Sequence, residues 1–177
     1  MREIPYDRTA AVEYARRWAF DRNPLFSDFG GIGGDCTSFV SQCLFAGCCA
    51  MNFTPVYGWY FIDSARRTAS WTGVEFLYNF LTGNTGAGPF AAVVSASKVL
   101  PGDVVQLAKD DNWYHTLLVT SVTDGEILVA AHTIDAFDRP LSTYEYELDR
   151  FLSIRGARRE GNGGCFADLL SGKTLIL

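Results

Sequence analysis

A cysteine that directly follows a glycine-rich run and an aspartate is the first group in this sequence able to act as a nucleophile. The stretch reads Gly33-Gly34-Asp35-Cys36-Thr37-Ser38-Phe39-Val40-Ser41-Gln42-Cys43-Leu44. Phe39, Val40, Cys43 and Leu44 recur at helical spacing, and Gly47 follows as a stop signal. Asp35 is placed to be the N-cap, which sets Cys36 at the first helical position. There the unpaired N–H groups and the helix macrodipole favour a thiolate, a common way to build a nucleophilic cysteine. The other reading of the same residues is a small, inert cysteine buried at a helix start.

A thiolate that attacks an acyl carbon needs an imidazole to take its proton and later return it to the leaving amine. The chain has two histidines, His115 and His132. Both fall on β-rich runs joined by Thr123-Asp124-Gly125, and Asp-Gly between such runs is a strong hairpin signal. A two-residue type I′ loop sets Thr123 opposite Glu126 and, counting back, Leu117 opposite His132. His115 then shares a face with His132, their Cα atoms about 7–8 Å apart. A one-residue slip would put them on opposite faces. On this register His115 is the base for Cys36 and His132 orients it. For each histidine alone, a satisfied core or rim position is the competing reading.

Support for such a site has several candidates. The N–H of Cys36 and one side-chain donor would form an oxyanion hole, with Asn23 and Tyr6 as donors. Gln42 lies six residues into the helix and points away. Asp135 is the alternative orienter. Beside His132 it could suggest a metal, but no compact ligand pattern supports a metal or any cofactor. Trp59, within the dense run Tyr57-Gly58-Trp59-Tyr60-Phe61, together with Trp71 and Trp113, are either packing or the walls of a cleft.

The elements that must hold these groups change character along the chain. Asp7 to about Asp21 reads as a helix, the Cys36 helix runs to about Ala46, and a third runs from a Ser70 cap to Gly83. From Pro101-Gly102 onward the period becomes that of strands: Asp103–Leu107, Tyr114–Val122, Glu126–His132, Ser142–Leu148 and Phe151–Ile154. Helices first and antiparallel strands after is an α+β pattern. Residues 1–155 read as one domain. Residues 156–177, with Gly161-Asn162-Gly163-Gly164, read as a flexible C-terminal tail.

With 177 residues, 48% of them apolar, the chain can bury a sizeable core. Its net charge of −5 argues against a nucleic-acid backbone binder, which needs a basic face. No apolar run reaches the length of a membrane span. The N-terminus Met1-Arg2-Glu3-Ile4-Pro5-Tyr6 shows no hydrophobic signal region, which reads as cytoplasmic for the chain as written, or as extracellular or cell-wall if it is a trimmed form. The five cysteines, Cys36, Cys43, Cys48, Cys49 and Cys165, match no disulfide scaffold and read as mostly reduced.

Taken together, Tyr6-Asp7-Arg8, Asn23-Pro24, Gly33-Gly34-Asp35-Cys36-Thr37, Phe39-Val40-Ser41-Gln42, Gly58-Trp59, Ser70-Trp71, Gly102-Asp103, Trp113-Tyr114-His115 and Ala131-His132-Thr133 resemble a known family. It is the bacterial putative amidase domain family of the papain-like cysteine peptidase superfamily, related to NlpC-type and CHAP cell-wall peptidases. The resemblance covers about residues 6–154. It implies a papain-like α+β fold with the nucleophile at a helix N-terminus packed on an antiparallel sheet. It also implies a Cys36–His115 dyad with His132 as third member, and a peptide or glycopeptide substrate of the peptidoglycan type. Ser38 departs from the family pattern, which usually has Asn there. The alternatives are a papain-like module that binds such a ligand without cleaving it, or one that transfers the acyl group to another acceptor.

Overall fold

The computed structural model describes residues 1–173; the last part of the expected tail, 174–177, lies outside the described residues. Strand β1 (Arg2–Ile4) leads into helix α1 (Arg8–Trp18), and α2 (Asp35–Cys48), α3 (Ala69–Thr72) and α4 (Val74–Gly83) follow. Six strands come next: β2 (Gly88–Val94), β3 (Val104–Lys109), β4 (Asn112–Thr123), β5 (Glu126–Ala131), β6 (Ala136–Pro140) and β7 (Leu148–Arg159). A short helix, α5 (Phe166–Ser171), ends the described chain. Helices packed on an antiparallel sheet make this an α+β fold.

All strands join one antiparallel sheet in the order β1-β7-β3-β4-β5-β6, with β2 on the other edge of β7. Every residue of α2 is buried, and its apolar residues face several directions, as expected of a helix enclosed by other elements. Alternation along the strands divides two cores. Val104, Leu118, Ala130 and Leu152 face α2, while Val105, Leu107, Leu117, Val119, Val129 and Ala131 form a smaller core on the opposite face.

The local rules explain much of this. The Asp7 carboxylate accepts the Ala10 N–H at 2.9 Å and starts α1. The expected third helix is two helices, because Gly73, in extended backbone, interrupts the run and Ser70 lies inside α3 rather than capping it. Strand β2 had no clear sequence period, and residues 142–147 form a short 3-10 turn and loop where a strand was expected.

Residues 156–173 are not a loose tail. Strand β7 runs on to Arg159, and Leu169 of α5 is buried against α1. The Leu169 carbonyl accepts from Trp18 Nε1 at 3.2 Å and from Asn23 Nδ2 at 2.9 Å. A disulfide joins Cys49, at the end of α2, to Cys165, just before α5. This overturns the reading of those two cysteines as reduced; their partnership spans 116 positions and leaves no local trace.

Candidate functional site

The start of α2 is built on glycine. Gly33 and Gly34 have φ of +83° and +98°, a region costly for residues with a Cβ. Gly34, not Asp35, is the N-cap, so Asp35 is the first helical residue and Cys36 the second. The first intrahelical bond is Ser38 N–H to Gly34 O at 2.9 Å, so the N–H groups of Asp35, Cys36 and Thr37 lie ahead of it and make the positive end of the helix. The Cys36 thiol is free and buried, with its sulfur 3.8 Å from Thr37 Oγ1. Thr37 Oγ1 lies 2.9 Å from Thr116 Oγ1, which ties the helix start to β4.

Released from capping, Asp35 anchors a buried charged cluster. Its Oδ1 accepts the Phe29 N–H at 3.1 Å, and its Oδ2 lies 3.0 Å from His132 Nδ1 and 3.3 Å from Arg22 Nε. His132 Nε2 donates to the Trp18 carbonyl at 2.9 Å, and the imidazole stacks on Phe39 with centroids 3.9 Å apart. Arg22 grips Asp135 through both terminal nitrogens, at 3.1 and 3.0 Å, and lies 3.6 Å from Asp28. Burial works to raise the Asp35 pKa, but His132, the Phe29 N–H and Arg22 outweigh it and hold the carboxyl below its ordinary range. Burial likewise opposes the Arg22 charge, and Asp135, Asp35 and Asp28 outweigh it and raise the guanidinium pKa.

The two imidazoles do not share a face. The turn is as expected: Asp124 and Gly125 both have positive φ, at 51° and 80°, and Thr123 opposes Glu126. The register then shifts at Thr120, an unpaired residue between Val119 and Ser121. Beyond this bulge Leu118 opposes Ala130, where the turn alone would have set it opposite Ala131. One extra residue reverses the facing of everything beyond it. His132 therefore lies on the α2 side. His115 lies on the side of Leu107 and Leu117, with its ring 5.8 Å from that of Tyr144. No hydrogen bond joins Cys36 to His115 among the described residues. Burial and the nearby Arg139 charge lower the His115 pKa to about 4, so its ring is neutral at pH 7. It opens into a cavity of about 660 Å³.

The remaining candidates sort by their partners. Asn23 spends its amide on Tyr14 Oη and the Leu169 carbonyl, both at 2.9 Å, so it holds α1 to α5 and has no proton for an oxyanion. Tyr6 donates to the Gly102 carbonyl at 3.0 Å, and Gln42 Oε1 accepts from Tyr14 Oη at 2.7 Å. Trp59 and Trp71 are wholly buried, with rings 4.8 Å apart, and are core rather than cleft. Trp113 is half-buried on the bulged start of β4, stacked under Arg150 at 3.9 Å. Asp135 reaches the site only through Arg22. Arg22, Arg139 and Tyr144 drew no attention in the sequence, because each acts with partners distant in the chain or borrowed from another strand. Among the described residues, no group of three or more His, Cys, Asp or Glu could hold a metal ion.

Comparison with known proteins matches most of the sequence to an amidase domain. Residues 5–155 match the model of the putative amidase domain family, and the chain belongs to that family. At the coarse level this is a family of hydrolases acting on amides. An uncharacterized Bacillus subtilis (strain 168) protein, YhbB, is 34% identical over 140 residues, which are 76% of this chain and 44% of that protein. The chain thus spans less than half the length of this curated relative. No solved structure matches. Among the described residues, no helix is long and apolar enough to cross a membrane.

Proposed function

We propose that the protein is a cysteine-dependent amidase whose nucleophile is Cys36. One observation carries this reading: of the five cysteine sulfur atoms, only that of Cys36 is both free and in the first turn of a helix. Cys49 and Cys165 are joined. Burial pushes the Cys43 thiol well above its ordinary range and that of Cys48 up to about 12, which leaves both protonated and inert.

In this reaction the Cys36 thiolate attacks the amide carbonyl carbon, and the N–H groups of the first turn stabilise the oxyanion. The C–N bond breaks, and the amine leaves with a proton from an imidazolium. Water, deprotonated by the same imidazole, then attacks the thioester, the C–S bond breaks, and a carboxylic acid and the thiol result. We assign the imidazole to His115. Its ring is neutral and makes no hydrogen bond among the described residues, whereas His132 has one nitrogen on Trp18 and the other beside Asp35. The assignment requires the backbone at the start of β4, where the pairing with β3 is already bulged, to shift when substrate binds so that His115 reaches the α2 side. His132 then supports the nucleophile from behind, through Asp35. The resemblance to cell-wall peptidases makes peptidoglycan peptides the substrate to try first.

The test is product analysis by mass spectrometry on a peptidoglycan-peptide library. Cys36→Ala and His115→Ala abolish cleavage, and His132→Ala weakens it; full activity of Cys36→Ala would end the proposal. The separation of Cys36 from His115 favours a second reading, a module that binds the peptide without turning it over. Iodoacetamide labelling separates the two: the nucleophile reacts faster at pH 6 than an ordinary exposed thiol, and a mere binding module has no reason to.

A further inference from the structure

The cavity over His115 lies on the sheet face away from α2, and two of the side chains that line it, His115 and Tyr144, make no hydrogen bond among the described residues. His115 is 8% exposed and makes no hydrogen bond among the described residues, and the ring faces this opening. The Tyr144 hydroxyl is buried and lacks a hydrogen bond of normal geometry, its polar neighbour being the Arg139 guanidinium. A buried hydroxyl without a hydrogen bond is costly and is a position where a ligand atom is awaited. Arg139 lies over the Tyr144 ring with its guanidinium carbon 4.0 Å from the centroid. Its Nε and Nη2 are held by Thr143, which leaves Nη1 without a protein partner and the charge without a carboxylate among the described residues. Lys109 is spoken for at the rim, 3.6 Å from Glu145. Asp110 is the other carboxylate in the lining, exposed on the loop after β3.

We infer that this cavity is a binding site for a carboxylate-bearing peptide, its carboxylate held by Arg139 Nη1 and the Tyr144 hydroxyl beside His115. The chemistry follows from the donors. A guanidinium with a free edge pairs with a carboxylate in the strongest of side-chain hydrogen bonds. A phenol donor satisfies a second lone pair, and the burial of the site strengthens both. The carboxylate could be a peptide C-terminus or an acidic side chain, which share this chemistry. The inference rests on the amidase reading only in naming a peptide as the occupant.

The experiment is imidazole NMR on the Cys36→Ala protein, where turnover plays no part. With two histidines in the chain, His115 is assigned from a His132→Gln spectrum. N-acetylglycine, N-acetylglutamate α-amide and the neutral N-acetylglycinamide are the probes. N-acetylglycine or the glutamate derivative shifts the His115 resonances and raises the ring's proton affinity about tenfold or more, as expected for an anion within about 4–6 Å. Whichever binds tighter identifies the source of the carboxylate. Tyr144→Phe removes one oxygen without disturbing the packing and weakens binding, Arg139→Gln abolishes the response, and Arg139→Lys restores part of it. Equal responses to N-acetylglycine and its amide, no response to any probe, or an undiminished response in both Arg139→Gln and Tyr144→Phe would overturn the inference. Because binding is read without hydrolysis, its failure leaves the assignment of Cys36 standing, and an inactive Cys36→Ala protein says nothing against it.

Discussion

Replacing Gly34 with alanine tests how the nucleophile's helix is started. Two costs add at this position. The φ of +98° is in the left-handed half of backbone space, which costs a non-glycine residue about 1–2 kcal/mol. A Cβ would also meet the Thr72 carbonyl oxygen at 2.9 Å and the Thr72 Cβ at 3.2 Å, so α3 must move, and overpacking of this kind costs about 1–3 kcal/mol. The sum is about 2–5 kcal/mol. Gly33 supplies the internal control, because it has φ of +83° with nothing within 4 Å of its would-be Cβ. Gly33→Ala therefore pays the dihedral cost alone, about 1–2 kcal/mol. Gly31→Ala, with open space and no left-handed φ, stays within about 0.5 kcal/mol of the parent. Urea unfolding reads the three stabilities. Native-state alkylation of Cys36, followed by mass spectrometry, reads the site: Gly34→Ala changes its rate because the first turn shifts, and Gly33→Ala leaves it nearly unchanged. Amide hydrolysis should fall with Gly34→Ala by up to about a hundredfold, the cost of misplacing a reacting group by about 1 Å. If Gly34→Ala matched Gly33→Ala in both stability and alkylation, the contact with Thr72 would not position α2 and the reasoning would fail.

Three further outcomes follow from the same geometry. His115 is held neutral with a pKa of about 4 against an ordinary 6.5, so the unfolded chain binds its proton first; stability falls as pH drops from 6.5 toward 4, by about 3 kcal/mol at 1.4 kcal/mol per pH unit. His115→Gln removes that share of the decline, and equal acid limbs in urea melts of both proteins would refute it. Reducing the Cys49–Cys165 link, which spans 116 positions, frees about 4–5 kcal/mol of unfolded-state entropy in the loop-closure model; a phosphine reductant should lower Tm on the order of 10 °C, and an unchanged melt would argue against the bond. Trp71→Ala should cost about 3–5 kcal/mol in unfolding experiments, because the ring is wholly buried, while Trp113→Ala leaves stability within about 1 kcal/mol; the reverse order would contradict their placement.

Short-range chemistry was legible in the sequence, and longer-range arrangement was less so. The Asp7 cap, the helix carrying Cys36 and the Asp124-Gly125 turn all follow from residues within a few positions of one another. The Thr120 bulge does not: threonine there continues the β-branched run, and the extra residue is visible only as a change of partner. That one position determined whether the two imidazoles could be counted on the same face. Arg22 gave no signal in the sequence, because the partners that define it, Asp35 and Asp135, lie 13 and 113 positions away. The expectation that Asp35 caps α2 failed for a related reason, since its carboxylate had a stronger use against His132 and the Phe29 N–H.

The Cys49–Cys165 bond also closes residues 49–165 into a covalent ring. Cys36 precedes the ring, and both histidines are in it. The exposed segment around Ala65 and Arg66 lies within that ring. A protease cutting after Arg66 would sever the polypeptide between the thiol and its candidate bases, yet the two pieces would stay one molecule. Such a nicked form would migrate intact until reduced and would come apart only then. Peptide-bond continuity and site integrity are thus separate properties here, and an environment that preserves the disulfide could tolerate a cut that a reducing one would not.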